Sequence, residues 1–312
     1  MAHLTPQAHA VFARQHGVAS VQQLIDAGMA HRQLRHLQHS GGLDLVLRGA
    51  YRTPSAPITE SSRCAAVCLA RPDVAIAGPT AGRLWGLRRL PPDHRIHVIA
   101  PRASNPAITN WVVPYRTDAH HEHDVVDRGD GIRITTRART AFDLARWLSP
   151  DDLLSVIEQA ARDGGLSDDD FLAVAADWLS PQRPWARVFL RSLDRRLPGG
   201  PAESHPEVRV ADALRSAGVR GLVRQHRVEL PGYGDARFDL AAPDLRWEIE
   251  VDLHPRHRET LGMAADAARD RAASAIGWIT TRIDDAQYHH RFNETIAEIA
   301  ALHAHLRLHA AS

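Results

Sequence analysis

The stretch Trp247-Glu248-Ile249-Glu250-Val251-Asp252 sets bulky apolar residues against carboxylates in strict alternation, and Leu253-His254-Pro255-Arg256-His257 comes directly after it. A period of two is a β-strand signal. It puts Glu248, Glu250 and Asp252 on one face and Trp247, Ile249 and Val251 on the other. Like charges on one strand face repel, so the surrounding fold has to offer them a cation, an arginine or water. Upstream, the run from Ala236 to Asp252 reads as a β-hairpin turning at Ala242-Pro243-Asp244-Leu245. That turn predicts Asp239 opposite Glu248 and diagonal to Glu250.

Asp239 and Glu250 then converge at the open end of the hairpin, within reach of one cation. Magnesium, or manganese in its place, takes hard oxygen ligands and often uses only one or two carboxylates beside its waters. A bound cation would also explain why repelling acids are tolerated. The helix predicted from Ala264 to Ser274 displays Arg269 and Arg271, and the strand Ile276-Gly277-Trp278-Ile279-Thr280-Thr281-Arg282 ends in a third arginine. Arg269, Arg271 and Arg282 are candidate contacts for a phosphodiester. The alternative is a fold that keeps its acids for helix capping or for ion pairs with Arg237, Arg246 or Arg256.

With 312 residues the chain has room for two or three cores. A formal net charge of +1 gives no global field for nucleic acid or membrane, so any such surface is local. All 38 basic side chains are arginine, which excludes lysine chemistry. Cys64 and Cys68 lie one turn apart on an Ala-rich helix and suit buried small side chains better than a disulfide or a zinc site. No signal-peptide pattern or membrane-length apolar run stands out, so a cytoplasmic protein without a membrane is expected.

At the N-terminus, Ser20-Val21-Gln22-Gln23 is a capping-box pattern and Gly28 a stop signal. A second helix, Ala30 to His39, buries Leu34 and Leu37 and turns His31, Arg32, Arg35 and His36 outward. Leu43, Leu45 and Leu47 then alternate on one face before a turn at Arg48-Gly49. Helix, tight turn, basic helix and β-wing is the order of a winged helix-turn-helix, whose second helix enters the DNA major groove. There arginine pairs bidentately with guanine. Candidate DNA contacts are His31, Arg32, Arg35, His36, Arg48 and Arg52. Small three-helix units also serve as protein-interaction modules, and these residues leave that open.

Residues 57–180 have a mixed α/β pattern, with Ser149-Pro150-Asp151-Asp152 and Ser167-Asp168-Asp169-Asp170 reading as helix starts. His120, His121 and His123 fall in a polar segment and stay unassigned. Gly78-Pro79-Thr80-Ala81-Gly82 lacks the lysine of a phosphate-binding loop. Residues 181–201 read as a linker with a short helix. Residues 202–312 read as helix, strand, strand, helix, strand, helix. The expected fold class is multi-domain α/β: a winged helix-turn-helix over 1–56, an α/β middle region over 57–180, and a mixed β-sheet flanked by helices over 202–312.

Two resemblances add to this. The run from His16 to Pro54, closing in Arg48-Gly49-Ala50-Tyr51-Arg52, resembles the N-terminal domain of AbiEi-type antitoxins, and the middle region is similar to the segment after the winged helix in such proteins. The resemblance implies a transcriptional repressor of an abortive-infection pair, with DNA and a cognate toxin as partners and a possible homodimer. Over about 200–285, the ordered set Ser204-His205-Pro206-Glu207, Arg237-Phe238-Asp239, Glu248 to Asp252, His254 and His257, Asp266, Arg269 and Asp270, and Gly277 to Arg282 resembles the PD-(D/E)XK nucleases, especially the very-short-patch-repair branch. It implies a restriction-endonuclease-like sheet in which Asp239 and Glu250 hold the metal and Glu207 joins them. The family's lysine position is Asp252 here, and no lysine replaces it. Asp252 could help hold a second metal, or His254 or His257 could serve as general base. The catalytic candidates are therefore Glu207, Asp239, Glu250, Asp252 and His257. The two functions implied are a Mg²⁺-dependent endonuclease, in phage defence or DNA processing, and a non-catalytic antitoxin-like regulator.

Overall fold

The computed structural model describes residues 3–103, 109–117, 122–178, 180, 182–253 and 260–310, with backbone alone over 260–266. His120, His121, His254 and His257 lie outside the described residues. The protein is a mixed α/β chain in two compact units, residues 1–148 with 171–179 and residues 149–170 with 180–312.

The first unit begins with α1 (Pro6–Arg14), β1 (Val18–Ser20), α2 (Val21–Asp26), α3 (His31–His39), β2 (Asp44–Leu47) and β3 (Ala50–Arg52). Local chemistry sets these limits. The Thr5 hydroxyl caps α1 ahead of Pro6, and Ser20 and Gln23 exchange both capping-box hydrogen bonds at α2. Gly49, at φ +100°, turns the β2–β3 hairpin where the sequence predicts it. Ala8, Phe12, Leu24, Met29, Leu34, Leu37, Leu43 and Tyr51 form the helical core. The expected alternation of Leu43, Leu45 and Leu47 fails at its middle member. The β2–β3 register shifts between Leu45 and Leu47, and this bulge leaves Leu45 48 % exposed.

Next come α4 (Glu60–Ala70), β4 (Ala75–Ile76), α5 (Gly78–Leu84), β5 (Ile96–Pro101), β6 (Val112–Thr117), β7 (Val125–Asp127), β8 (Arg133–Thr135) and α6 (Arg137–Leu144). Their sheet runs in the order β6-β5-β4-β8-β7, with parallel and antiparallel pairs mixed. Val18, Leu47 and Ala50 pack in one cluster with Cys64, Cys68, Ile76, Val98 and Ile134. The wing therefore shares a core with the middle region, and the sequence boundary at residue 56 falls inside one unit. Both cysteines are buried thiols, as expected.

α7 (Pro150–Gly164) and α8 (Asp168–Trp178) start at the predicted Ser caps, with Ser149 Oγ and Ser167 Oγ accepting from Asp152 N and Asp170 N. The expected boundary at 180 differs from the one observed. α7 packs on α9 (Trp185–Asp194) and α10 (His205–Ser216), so it belongs to the second unit. The end of α8 belongs to the first, where Trp178 Nε1 donates to the buried Asp124 carboxylate and its ring lies 3.6 Å from the Arg139 guanidinium. The short helix expected within 181–201 is α9, and its Phe189 is fully buried.

The second unit continues with β9 (Val223–Leu230), β10 (Gly234–Ala242), β11 (Trp247–Asp252), α11 (Thr260–Ala275), β12 (Ile279–Asp284), α12 (Asp285–His290) and α13 (Phe292–Ala310). β9, β10 and β11 form an antiparallel meander, and β12 joins β11 in parallel after the α11 crossover. Segment 223–230 is thus a strand of its own, one more than the sequence pattern supplied. Trp247 and Ile249 sink into a core with Val210, Leu214, Ile296 and Ile299 of α10 and α13. Leu230, Ala236, Phe238, Ala241, Ala273 and Trp278 make a second cluster that reaches α11. Among the described residues, no helix is long and apolar enough to cross a membrane.

Candidate functional site

The α3 helix has the predicted two-sided character. Leu34 and Leu37 are buried, while His31, Arg32, Arg35, His36 and His39 are exposed. No acid interrupts that face, and His39 is a member the sequence reading did not select. Its Nδ1 lies 2.6 Å from the Arg35 carbonyl, which ties the ring back to the helix end. Arg48 stands exposed at the hairpin turn. Arg52, expected beside it, is directed inward: its guanidinium binds Asp44 and the Ala56 carbonyl, and its side chain is 14 % exposed. The exposed cationic set is therefore the α3 face and Arg48, with Arg52 bracing the wing.

In the second unit the hairpin register differs from the expected one. A 3₁₀ turn at Pro243–Leu245, then Arg246 in a left-handed conformation, closes the hairpin one residue later. Ala241, not Asp239, lies opposite Glu248, and Leu240 pairs with Ile249. The same register carries Asp239 to Glu250. At that point the Asp239 carboxylate accepts the Val251 amide at 3.3 Å. Burial, with Glu207 and Glu250 nearby, pushes the Asp239 carboxyl up to about 7. The structure thus brings Asp239, Glu250 and Glu207 into one electrostatic neighbourhood.

Each acid has a different environment. Glu207 sits in the first turn of α10, where it accepts from Ser204 Oγ at 2.7 Å, Glu203 N at 2.9 Å and Gln225 Nε2 at 3.2 Å. Glu250 meets two arginines: Arg269 contacts one oxygen, and Arg282 Nε lies 3.4 Å from the other. Arg282 also donates to Asp270 at 2.6 Å. These are two of the three arginines expected to contact phosphate; Arg271 remains exposed. Asp252, half-buried, ends β11 in register with Asp284. Arg237 pairs with Glu203, and Arg246 donates to the Ile276 carbonyl, so the cations that neutralise Glu250 are not those the sequence suggested. The register itself held the signal, since β11 and β12 set Glu250 beside Arg282.

Glu248, on the expected acidic face, is fully buried. Thr280 Oγ1 donates to Oε1 at 2.5 Å, and Oε2 has no hydrogen-bond partner among the described residues. Burial pushes its carboxyl up to about 7. A divalent cation does not fit this donor set as it stands. Both Glu250 oxygens face guanidinium groups, and no cluster of three ligating side chains occurs among the described residues.

Residues 8–54 match the family described as a transcriptional regulator, AbiEi antitoxin. That match covers the winged helix alone. No curated protein matches the chain. Among solved structures, the RV2827C protein from Mycobacterium tuberculosis is similar over 66 % of this chain and 80 % of that one, at 17 % identity and a TM-score of 0.40. That likeness is too low to assign a fold.

Proposed function

We propose that this chain is a DNA-binding transcriptional regulator of the antitoxin type, which reads duplex DNA through α3 and Arg48. The observation that carries it is the acid-free exposed face of His31, Arg32, Arg35 and His36 on α3, the second helix of the helix-turn-helix, in a domain matching AbiEi regulators. Arg32 and Arg35 supply bidentate donors to bases or phosphates, and Arg48 reaches the backbone. A cognate toxin and a second copy of the chain are the protein partners that fit such a regulator. The test is fluorescence anisotropy with duplex DNA from upstream of its own coding sequence. Arg32→Ala with Arg35→Ala should weaken binding by on the order of 10²-fold or more, since each good bidentate pair is worth about 1–3 kcal/mol. It should also flatten the salt dependence. Unchanged affinity in the double variant overturns the assignment.

A second function, a Mg²⁺- or Mn²⁺-dependent endonuclease in the second unit, is favoured by one observation: Asp239 is crowded by Glu207 and Glu250, and its carboxyl rises to about 7. Metal binding there requires Glu250 to exchange Arg269 and Arg282 for the ion. Nicking of supercoiled plasmid that depends on added metal, stops with EDTA and disappears in Glu250→Ala would support it. Intact plasmid under every metal, with DNA still bound, leaves the regulator alone.

A further inference from the structure

The last turns of α13 carry two histidines that neither function uses. His305 and His309 are spaced four apart, so one turn of helix sets them on the same side. Their ring centroids lie 4.3 Å apart, with the ring planes at 67°. Both residues are exposed, and no acid pairs with either among the described residues. His303 faces the other way: it is buried beside Trp247, and its Nε2 accepts from Arg307 Nε at 3.3 Å.

The helix that carries the pair is held firmly. Ile296 and Ile299 sink into the core of the second unit, with Leu302 and Leu306 packed against it. In the last turn, Arg307 donates to Asp244 at 2.5 Å and to the Arg220 carbonyl at 3.3 Å. A site on such an element keeps its geometry without help from a loop. The free carbonyls that end a helix also give that end a negative potential, which favours a cation beside it.

Neutral imidazole offers one acceptor nitrogen per ring, and two rings one turn apart can share an ion. Zinc–nitrogen bonds of about 2.0–2.1 Å at a tetrahedral angle place the two ring centroids about 5 Å apart. The observed 4.3 Å lies within a small side-chain rotation of that value. We infer that His305 and His309 chelate a borderline divalent transition metal of the zinc class. Imidazole suits such ions, whereas magnesium takes carboxylate and water oxygens. The pair therefore differs in chemistry from the acidic group around Asp239. Two of four tetrahedral positions stay open to water or to a ligand from outside the chain.

Site-resolved acylation tests this on the full chain. Diethylpyrocarbonate modifies a free imidazole nitrogen, and a bound metal blocks it. Peptide mass spectrometry then reads each histidine across a zinc chloride titration. His9 on α1 is the internal reference, exposed and with no histidine or acid three or four residues away. His305 and His309 should become protected together, at zinc concentrations that leave His9 reactive. His305→Ala should raise the zinc needed to half-protect His309 by about 10-fold or more, because the second ring is no longer delivered within the chain. His309→Ala read at His305 repeats the comparison, and alanine at either position keeps the helix. Magnesium should protect neither ring. Half-protection of His309 at the same zinc concentration in His305→Ala and wild type overturns the inference, since the rings would then bind singly. So does protection of the pair only where His9 is also protected, or equal protection by magnesium.

Discussion

Replacing Glu248 by glutamine should stabilise the second unit above neutral pH and leave it nearly unchanged in acid. The carboxyl is fully buried, one of its oxygens has no partner among the described residues, and the Glu250 charge lies close by. Those causes raise it from the ordinary glutamate value of 4.5 to about 7. Between those two values the folded chain holds a proton that the unfolded chain has released, so stability falls as pH rises through the window. At about 1.36 kcal/mol per pH unit the full effect is roughly 3 kcal/mol, and relaxation around the ionised group reduces it to about 2 kcal/mol. Glutamine keeps the shape and can still accept from Thr280 Oγ1, but it never ionises. Urea unfolding of wild type and Glu248→Gln at pH 4.5, 6 and 8 measures the difference, with hydrogen exchange of β10, β11 and β12 amides localising it. The variant should gain nothing at pH 4.5 and about 2 kcal/mol at pH 8. A difference that does not vary with pH, or a loss at pH 8, refutes the assignment of a buried, proton-holding glutamate.

Glu158 is fully buried, bound by Arg196 and Arg224 and by the Ala202 amide. Glu158→Leu strands two guanidinium groups away from water and should cost about 3–5 kcal/mol by calorimetry. Gly199, at φ +104°, leaves no room for a side chain, because a Cβ would lie 2.2 Å from the Arg224 carbonyl oxygen. Gly199→Ala should therefore destabilise by more than about 2 kcal/mol in chemical denaturation. Replacing both Arg269 and Arg282 by methionine leaves Glu250 without its cations. The double variant should lose more stability between pH 5 and pH 8 than the wild type does, and adding Glu250→Gln should remove that extra loss in urea titrations.

Much of the local structure was legible in the chain. The Ser20 capping box, the Ser149 and Ser167 helix starts, the Arg48-Gly49 turn and the α3 face with Leu34 and Leu37 inward all arise from interactions within a few residues. The alternation in Trp247 to Asp252 likewise specified a strand, since side-chain direction along an extended chain has no other period. What the sequence could not determine was register, pairing and allegiance. A turn one residue later moved Asp239 from Glu248 to Glu250. The packing of α7 on α9 and α10 moved a helix from one unit to the other. The parallel seating of β12 against β11 set Arg282 beside Glu250, and α11 brought Arg269 to the same carboxylate. Charge repulsion along the strand demanded a counter-cation, and that was readable from residues alone. Which cation answers it depends on groups more than ten residues away, so only the tertiary structure decides.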